Sequence, residues 1–165
     1  MTVLQLPAAD RTPTPWRNGG GLTREVAAAP DGAWRVSLAE ITTDGPFSLF
    51  PGLTRVLTVV AGDGLDLTIG DRPPVTVHPR RPLTFPGDLP TTARLLGTPV
   101  TALNLMLRED RAHHPDPVQL LPTGTDLHPT PGHPLLAVHL DGYDALLVEH
   151  PSRVTSNGPV AVLKL

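Results

Sequence analysis

Proline and glycine are set so closely along this chain that little room is left for helix. The 21 prolines and 15 glycines among 165 residues punctuate short apolar runs at intervals of about ten residues, which is the rhythm of an all-β domain. In "WRVSLAEI", Trp34, Val36 and Leu38 alternate with Arg35, Ser37 and Ala39, a period of two that predicts a strand. "RVLTVVAG", "LDLTIG" and "PVTVHP" follow, and the "GDG" between the first two predicts a hairpin of the Asp-Gly type. "RPLTFPGD", "TTARLLG" and "VTALNLMLRE" continue the series. Residues 34–41, 55–61 and 100–107 are therefore expected to be extended. Residues 111–134, dense in Pro, His and Asp, read as a long connection. Strand-like "LLAVHLDG", "ALLVEHP" and "PVAVLKL" come after it. Two regions are expected: a larger β unit carrying a pocket over 1–110, and the connection plus a smaller β unit packing on it over 111–165.

Charge and composition remove several function classes. Thirteen basic and 16 acidic residues give a net charge of −3, which offers no attraction for nucleic acid or an anionic membrane. Cysteine is absent, so disulfides, thiolate metal sites and cysteine nucleophiles are excluded. The start "MTVLQLPAAD" has no basic n-region followed by a long apolar stretch, and no run reaches the roughly 18 apolar residues of a membrane span. The expectation is a soluble, cytoplasmic protein with a small-molecule partner, with pairing into a homodimer left open.

Many short antiparallel strands must hide their edges, and closure into a barrel or jelly roll is the usual way. "FPGLTRVLTVVAGDGLDLTIG" followed by "LTFPGDLP" has the cadence of a cupin. Metal-binding cupins carry two histidines, one residue apart, on the first of these strands. Here that place reads "GLTRVLTVV", with Arg55 and no histidine, so no cofactor and no metal ligand is assigned.

"PWRNGGGLTREVA", "WRVSLAEITTDGPFSLFPGLTRVLTVVAGDGLDLT", "FPGD" and "ARLLGTPVTALNLMLRE" together resemble the HutD/Ves family, accessory proteins of histidine utilisation and their relatives. The similarity runs in register over residues 15–109. It implies a cupin-like antiparallel β-barrel, with the C-terminal strands forming a second, smaller barrel as in a bicupin. It also implies a pocket for a small carboxylate of histidine degradation, such as urocanate or a formylated glutamate, and a regulatory or accessory role without an established catalytic step. The runner-up is a cupin enzyme, an isomerase or hydrolase of a related acid. A third reading is an interaction module that uses exposed β surface.

Individual residues can be weighed against this. In "NGGG", the glycines are either a strand-entry bulge or, with Asn18 beside the bare N–H group of Gly20, an anion-receiving concavity. Thr23 and Glu25 share one face of the next strand, with Arg24 on the other. Arg35 and Ser37 lie on the less bulky face of theirs. That face is either wet, the commoner fate of an arginine, or turned inward, where Arg35 could hold a carboxylate by two parallel hydrogen bonds. Arg55 is the better anchor, because it opens the apolar run "VLTVVA", where a buried charge needs a partner. In "TALNLMLRE", Leu103, Leu105 and Leu107 are core. Asn104 and Met106, on the opposite face, suit a pocket wall with one amide and one adaptable apolar contact. The histidines His113, His114, His128, His133 and His139 follow no structural zinc spacing, and no nucleophile elbow or carboxylate pair is present, so no catalytic residue is assigned.

Overall fold

The computed structural model describes residues 3–112 and 114–165. Its strands are β1 (Val3–Leu6), β2 (Thr14–Pro15), β3 (Gly21–Ala28), β4 (Trp34–Ile41), β5 (Gly45–Pro46), β6 (Leu53–Ala61), β7 (Leu65–Ile69), β8 (Val75–Val77) and β9 (Leu83–Pro86). There follow β10 (Thr91–Leu95), β11 (Val100–Arg108), β12 (Val118–Leu121), β13 (Asp126–Leu127), β14 (Leu135–His139), β15 (Ala145–Val148), β16 (Ser152–Arg153) and β17 (Val160–Lys164). Among the described residues, helix is confined to single 3₁₀ turns at Ala8–Asp10 and Glu109–Arg111. The protein is all-β, as its period-two runs require. Among the described residues, no helix is long and apolar enough to cross a membrane.

Residues 12–112 form one compact unit, and residues 1–11 with 113–165 form the other. The larger unit has a six-stranded sheet ordered β2-β3-β4-β11-β6-β9 and a four-stranded sheet ordered β5-β10-β7-β8. Ala39, Ile41, Leu57 and Val59 of the first meet Leu65, Leu67, Ile69 and Ala93 of the second in one core cluster. Leu57, Leu65 and Leu67 are fully buried, and each such side chain contributes roughly 1.5–3 kcal/mol by leaving water. Two facing antiparallel sheets make this unit cupin-like. The expected closed barrel is not found, because each ladder ends in edge strands and no pairing joins the two sheets.

The hairpin expected at "GDG" is also absent. β6 pairs with β11 and β9, whereas β7 pairs with β10 and β8, so the turn carries the chain from one sheet to the other. Gly62 makes the corner feasible. Its φ is 95°, and a Cβ there would lie 2.4 Å from the Pro99 carbonyl oxygen, a separation no other residue tolerates.

In the smaller unit a five-stranded sheet, β1-β15-β14-β17-β12, is accompanied by the two-stranded ribbon β13-β16. Ala137, Val148, Val160 and Val162 cluster with Leu127 and Val154. This is an open sheet and a ribbon; a second barrel is not shown. Two features differ from the reading of the sequence. β1 belongs to this unit rather than to 1–110, because Val3–Leu6 forms a ladder with β15. The expected connection 111–134 contains β12 and β13, whose runs "VQLL", between Pro117 and Pro122, and "DL" are too short for periodicity to reveal.

Candidate ligand-binding site

The six-stranded sheet is polar at one end of its inner face. Arg35 of β4, Met106 of β11, Arg55 of β6 and Phe85 of β9 stand opposite one another in a single cross-strand row. Two residues along, Ser37 lies opposite Asn104 and Asn104 opposite Leu57. The alternation that buries Val36, Leu38, Leu103 and Leu105 on one face thus aligns the polar residues on the other. They line a cavity of about 460 Å³.

Arg55 dominates it. The residue is only 6% exposed, and its guanidinium carbon sits 5.2, 5.1 and 5.0 Å from the ring centroids of Phe47, Phe50 and Phe85. These are all three phenylalanines of the chain. The cage is fixed by backbone bonds, since the N–H of Phe47 donates to Thr91 O at 2.8 Å and that of Phe50 to Gly87 O at 2.7 Å. Arg55 Nη1 donates to Ser48 O at 3.3 Å, while Nε has no hydrogen-bond partner among the described residues. No ion pair involving Arg55 occurs among them either. Burial without a counter-charge lowers the guanidinium pKa to about 10, so the group stays cationic at neutral pH. Ring contacts of about 0.5–2 kcal/mol each offset only part of the desolvation of that cation. Arg55 is a positive charge held in place with no acidic side chain paired to it among the described residues.

The walls add polar groups. Asn104 and Ser37 are buried, and Asn104 Oδ1 has no hydrogen-bond partner among the described residues. Thr23 accepts the indole N–H of Trp16 at 2.8 Å, and Trp16 meets Phe47 edge-on at 5.9 Å. Arg35 Nε is 3.0 Å from Glu25 Oε1, but the contact is off the N–H axis, making it an ion pair without an aligned hydrogen bond. Arg17, exposed to solvent, also lines the cavity, and no Asp or Glu does.

Asn18, Thr23, Arg35, Ser37, Arg55, Asn104 and Met106 therefore share one cavity, and two other expected residues do not. Gly20 fails because its N–H is taken by Asn18 Oδ1 at 2.9 Å, and the N–H of Gly19 by Trp16 O at 3.1 Å. The triple glycine is not an anion nest. It answers a steric need: a Cβ on Gly21 would lie 2.4 Å from Glu40 O and 3.1 Å from the Trp16 ring. Glu25 points to its ion pair with Arg35 rather than into the cavity. The phenylalanine cage escaped sequence reading, although "FSLFPG", with two of the chain's few aromatics just ahead of Arg55, carries its signal. His113 lies outside the described residues; among those residues no group of three or more His, Asp or Glu side chains is placed to hold a metal.

A Pseudomonas putida protein described as an uncharacterized 21.2 kDa protein in the hutC 3′ region is 37% identical over 117 residues, covering 67% of this chain and 62% of its own length. Protein Ves of Citrobacter koseri is 42% identical over 101 residues, covering 58% of this chain and 53% of its own. The chain thus spans only about half to three-fifths of the length of the curated relatives it matches. The solved structure of HutD from Pseudomonas fluorescens superposes with a TM-score of 0.84 at 27% identity, over 99% of this chain and 97% of that one. The HutD family model matches residues 8–153, and the chain belongs to the HutD family.

Proposed function

We propose that this protein binds a small carboxylate in the cavity around Arg55 and acts as an accessory or regulatory factor of histidine utilisation, with urocanate or a formylated glutamate as ligand. The observation that carries the reading is Arg55 itself, a buried, caged cation with an unengaged Nε. A carboxylate supplies what the site lacks: a negative charge and acceptors for a planar fork of N–H groups. Membership in the HutD family and the relative in the hutC region support the link to histidine degradation. Binding would be independent of metal, because the anchor is a guanidinium; chelator in the titration buffer is expected to leave affinity unchanged.

Titration calorimetry with urocanate and N-formylglutamate tests the proposal. Arg55→Ala should weaken binding by about 2–5 kcal/mol, as when one member of a desolvated charge pair is removed. Arg55→Lys should recover little, since an ammonium cannot reproduce the fork. If Arg55→Ala binds either acid as tightly as the wild type, the arginine is structural and the proposal fails.

A further inference from the structure

The cavity is larger than one carboxylate needs and carries more positive charge than one carboxylate neutralises. Arg35, Met106 and Arg55 stand in register on three neighbouring strands, so the two arginines are separated by about 10 Å at Cα, at roughly 4.8 Å per strand. Both line the cavity, as does Met106 between them, and no acidic side chain does. Arg35 is engaged with Glu25 through Nε, and its two terminal nitrogens make no side-chain hydrogen bond among the described residues. That pair is open to water, with the side chains 42% and 54% exposed, so it competes weakly with an incoming anion.

We infer that the preferred ligand is a short dicarboxylate, as N-formylglutamate is and urocanate is not, one carboxylate held by Arg55 and the other by the terminal nitrogens of Arg35, with the joining carbons lying over Met106. The inference rests on the reading of Arg55 as carboxylate anchor and adds to it a specificity-determining residue. Arg55, caged and buried, accepts any carboxylate small enough to reach it. Arg35, anchored by the sheet at a fixed distance, rewards only an acid whose second charge arrives at that distance. The thioether of Met106 adapts to the intervening carbons.

Malonate, succinate and glutarate, each titrated beside its own monoamide, separate the second charge from size and shape. At least one diacid is expected to bind the wild type tenfold or more tightly than its monoamide. Arg35→Met should collapse that ratio to below threefold, and Arg35→Lys should retain part of it; thermal melts show that both variants are folded. Arg17→Gln, at an exposed lining position, should keep the ratio. Equal binding of diacids and monoamides by the wild type, or a ratio that survives Arg35→Met, overturns the dicarboxylate inference and leaves the Arg55 anchor standing. Collapse of the ratio in Arg17→Gln instead would move the second contact to Arg17 and overturn the assignment to Arg35. If no diacid, monoamide, urocanate or N-formylglutamate binds, or if Arg55→Met binds them all unchanged, the anchor reading falls and this inference with it.

Discussion

In the smaller unit, the buried positions of β14, β15 and β17 are filled by Leu136, Val138, Ala145, Val148, Ala161 and Leu163, each no more than 2% exposed. The larger unit buries its strands as thoroughly, yet Ser37, Arg55, Thr58, Thr91 and Asn104 are all among its buried residues. No polar or charged residue is buried in the smaller unit among those described. Both sheets arise from the same alternation of side chains, so strand formation does not require the polar set. A buried ion costs stability unless it is well paired. The larger unit therefore gives up stability at the place where its cavity is, and the smaller unit does not. Replacing a buried leucine of the smaller unit and replacing Arg55 of the larger one should accordingly have opposite signs.

The largest effect belongs to the smaller unit. Leu163 is fully buried, with Val118 opposite it on β12 and Leu136 opposite it on β14. Leu163→Ala removes three carbon groups from a packed interior and should cost about 2–5 kcal/mol, the range for large-to-small core changes. Equilibrium urea unfolding measures it. A loss below 1 kcal/mol would mean that this sheet is loosely packed, and the contrast between the units would vanish.

Next comes Arg55→Met, which replaces an uncompensated cation by an apolar chain of similar reach. Without ligand the variant should be more stable than the wild type by about 1–4 kcal/mol, the gain seen when buried ions give way to hydrophobes, and it should bind no carboxylate. A destabilised Arg55→Met would show that the phenylalanine cage and Ser48 already satisfy the charge.

The same residue predicts a pH effect of smaller size. Burial depresses the folded-state pKa of Arg55 to about 10, well below the ordinary arginine value that holds in the unfolded chain. Between about pH 10 and the ordinary arginine range the unfolded chain binds more protons than the folded one, so stability rises with pH there; below about pH 10 the penalty is present in full. The advantage of Arg55→Met over wild type should hold constant from pH 7 to 9 and then shrink, by on the order of 1 kcal/mol at pH 11. Comparing the two proteins cancels the titration of groups they share. An advantage that grows above pH 10 would contradict the assignment.

How far the sequence discloses these regions depends on regularity. Strands β4 and β11 are legible because their alternation runs over eight or nine residues, and the same alternation places Arg35, Ser37, Asn104 and Met106 on one face. Arg55 is legible as a charge inside an apolar run. What escapes is set by irregular backbone or by contacts between distant segments. Asn18 folds back on Gly20 through an i to i+2 contact that composition does not announce. The phenylalanine cage needs residues 47–50 to approach β9, and it is pinned by backbone bonds to Thr91 and Gly87. The "GDG" turn has the chemistry of a hairpin, and only the carbonyl of Pro99 pressed on Gly62 distinguishes a corner between sheets. The sequence pattern shows which face a residue occupies, but not which sheet the next strand joins.

The smallest effect concerns the ion pair at the edge of the site. Glu25 and Arg35 lie on adjacent strands, where Glu25 opposes Ser37 and Arg35 opposes Ala28 on either side of a bulge. Their 3.0 Å contact is misaligned and half open to solvent. Exposed pairs of this kind contribute about 0–1 kcal/mol and are screened by salt. Glu25→Gln should therefore change unfolding free energy by less than about 1 kcal/mol, and the small difference should disappear at high ionic strength. Removing the carboxylate also relieves Arg35 of a competing anion, so diacid binding should tighten modestly while binding of the monoamides changes less. Calorimetric titrations of wild type and Glu25→Gln at low and high salt read both outcomes. A stability loss well above 1 kcal/mol, persisting in high salt, would make the pair a structural strut of the larger unit; weaker diacid binding in the variant would mean that Glu25 holds Arg35 in its working orientation rather than competing for it.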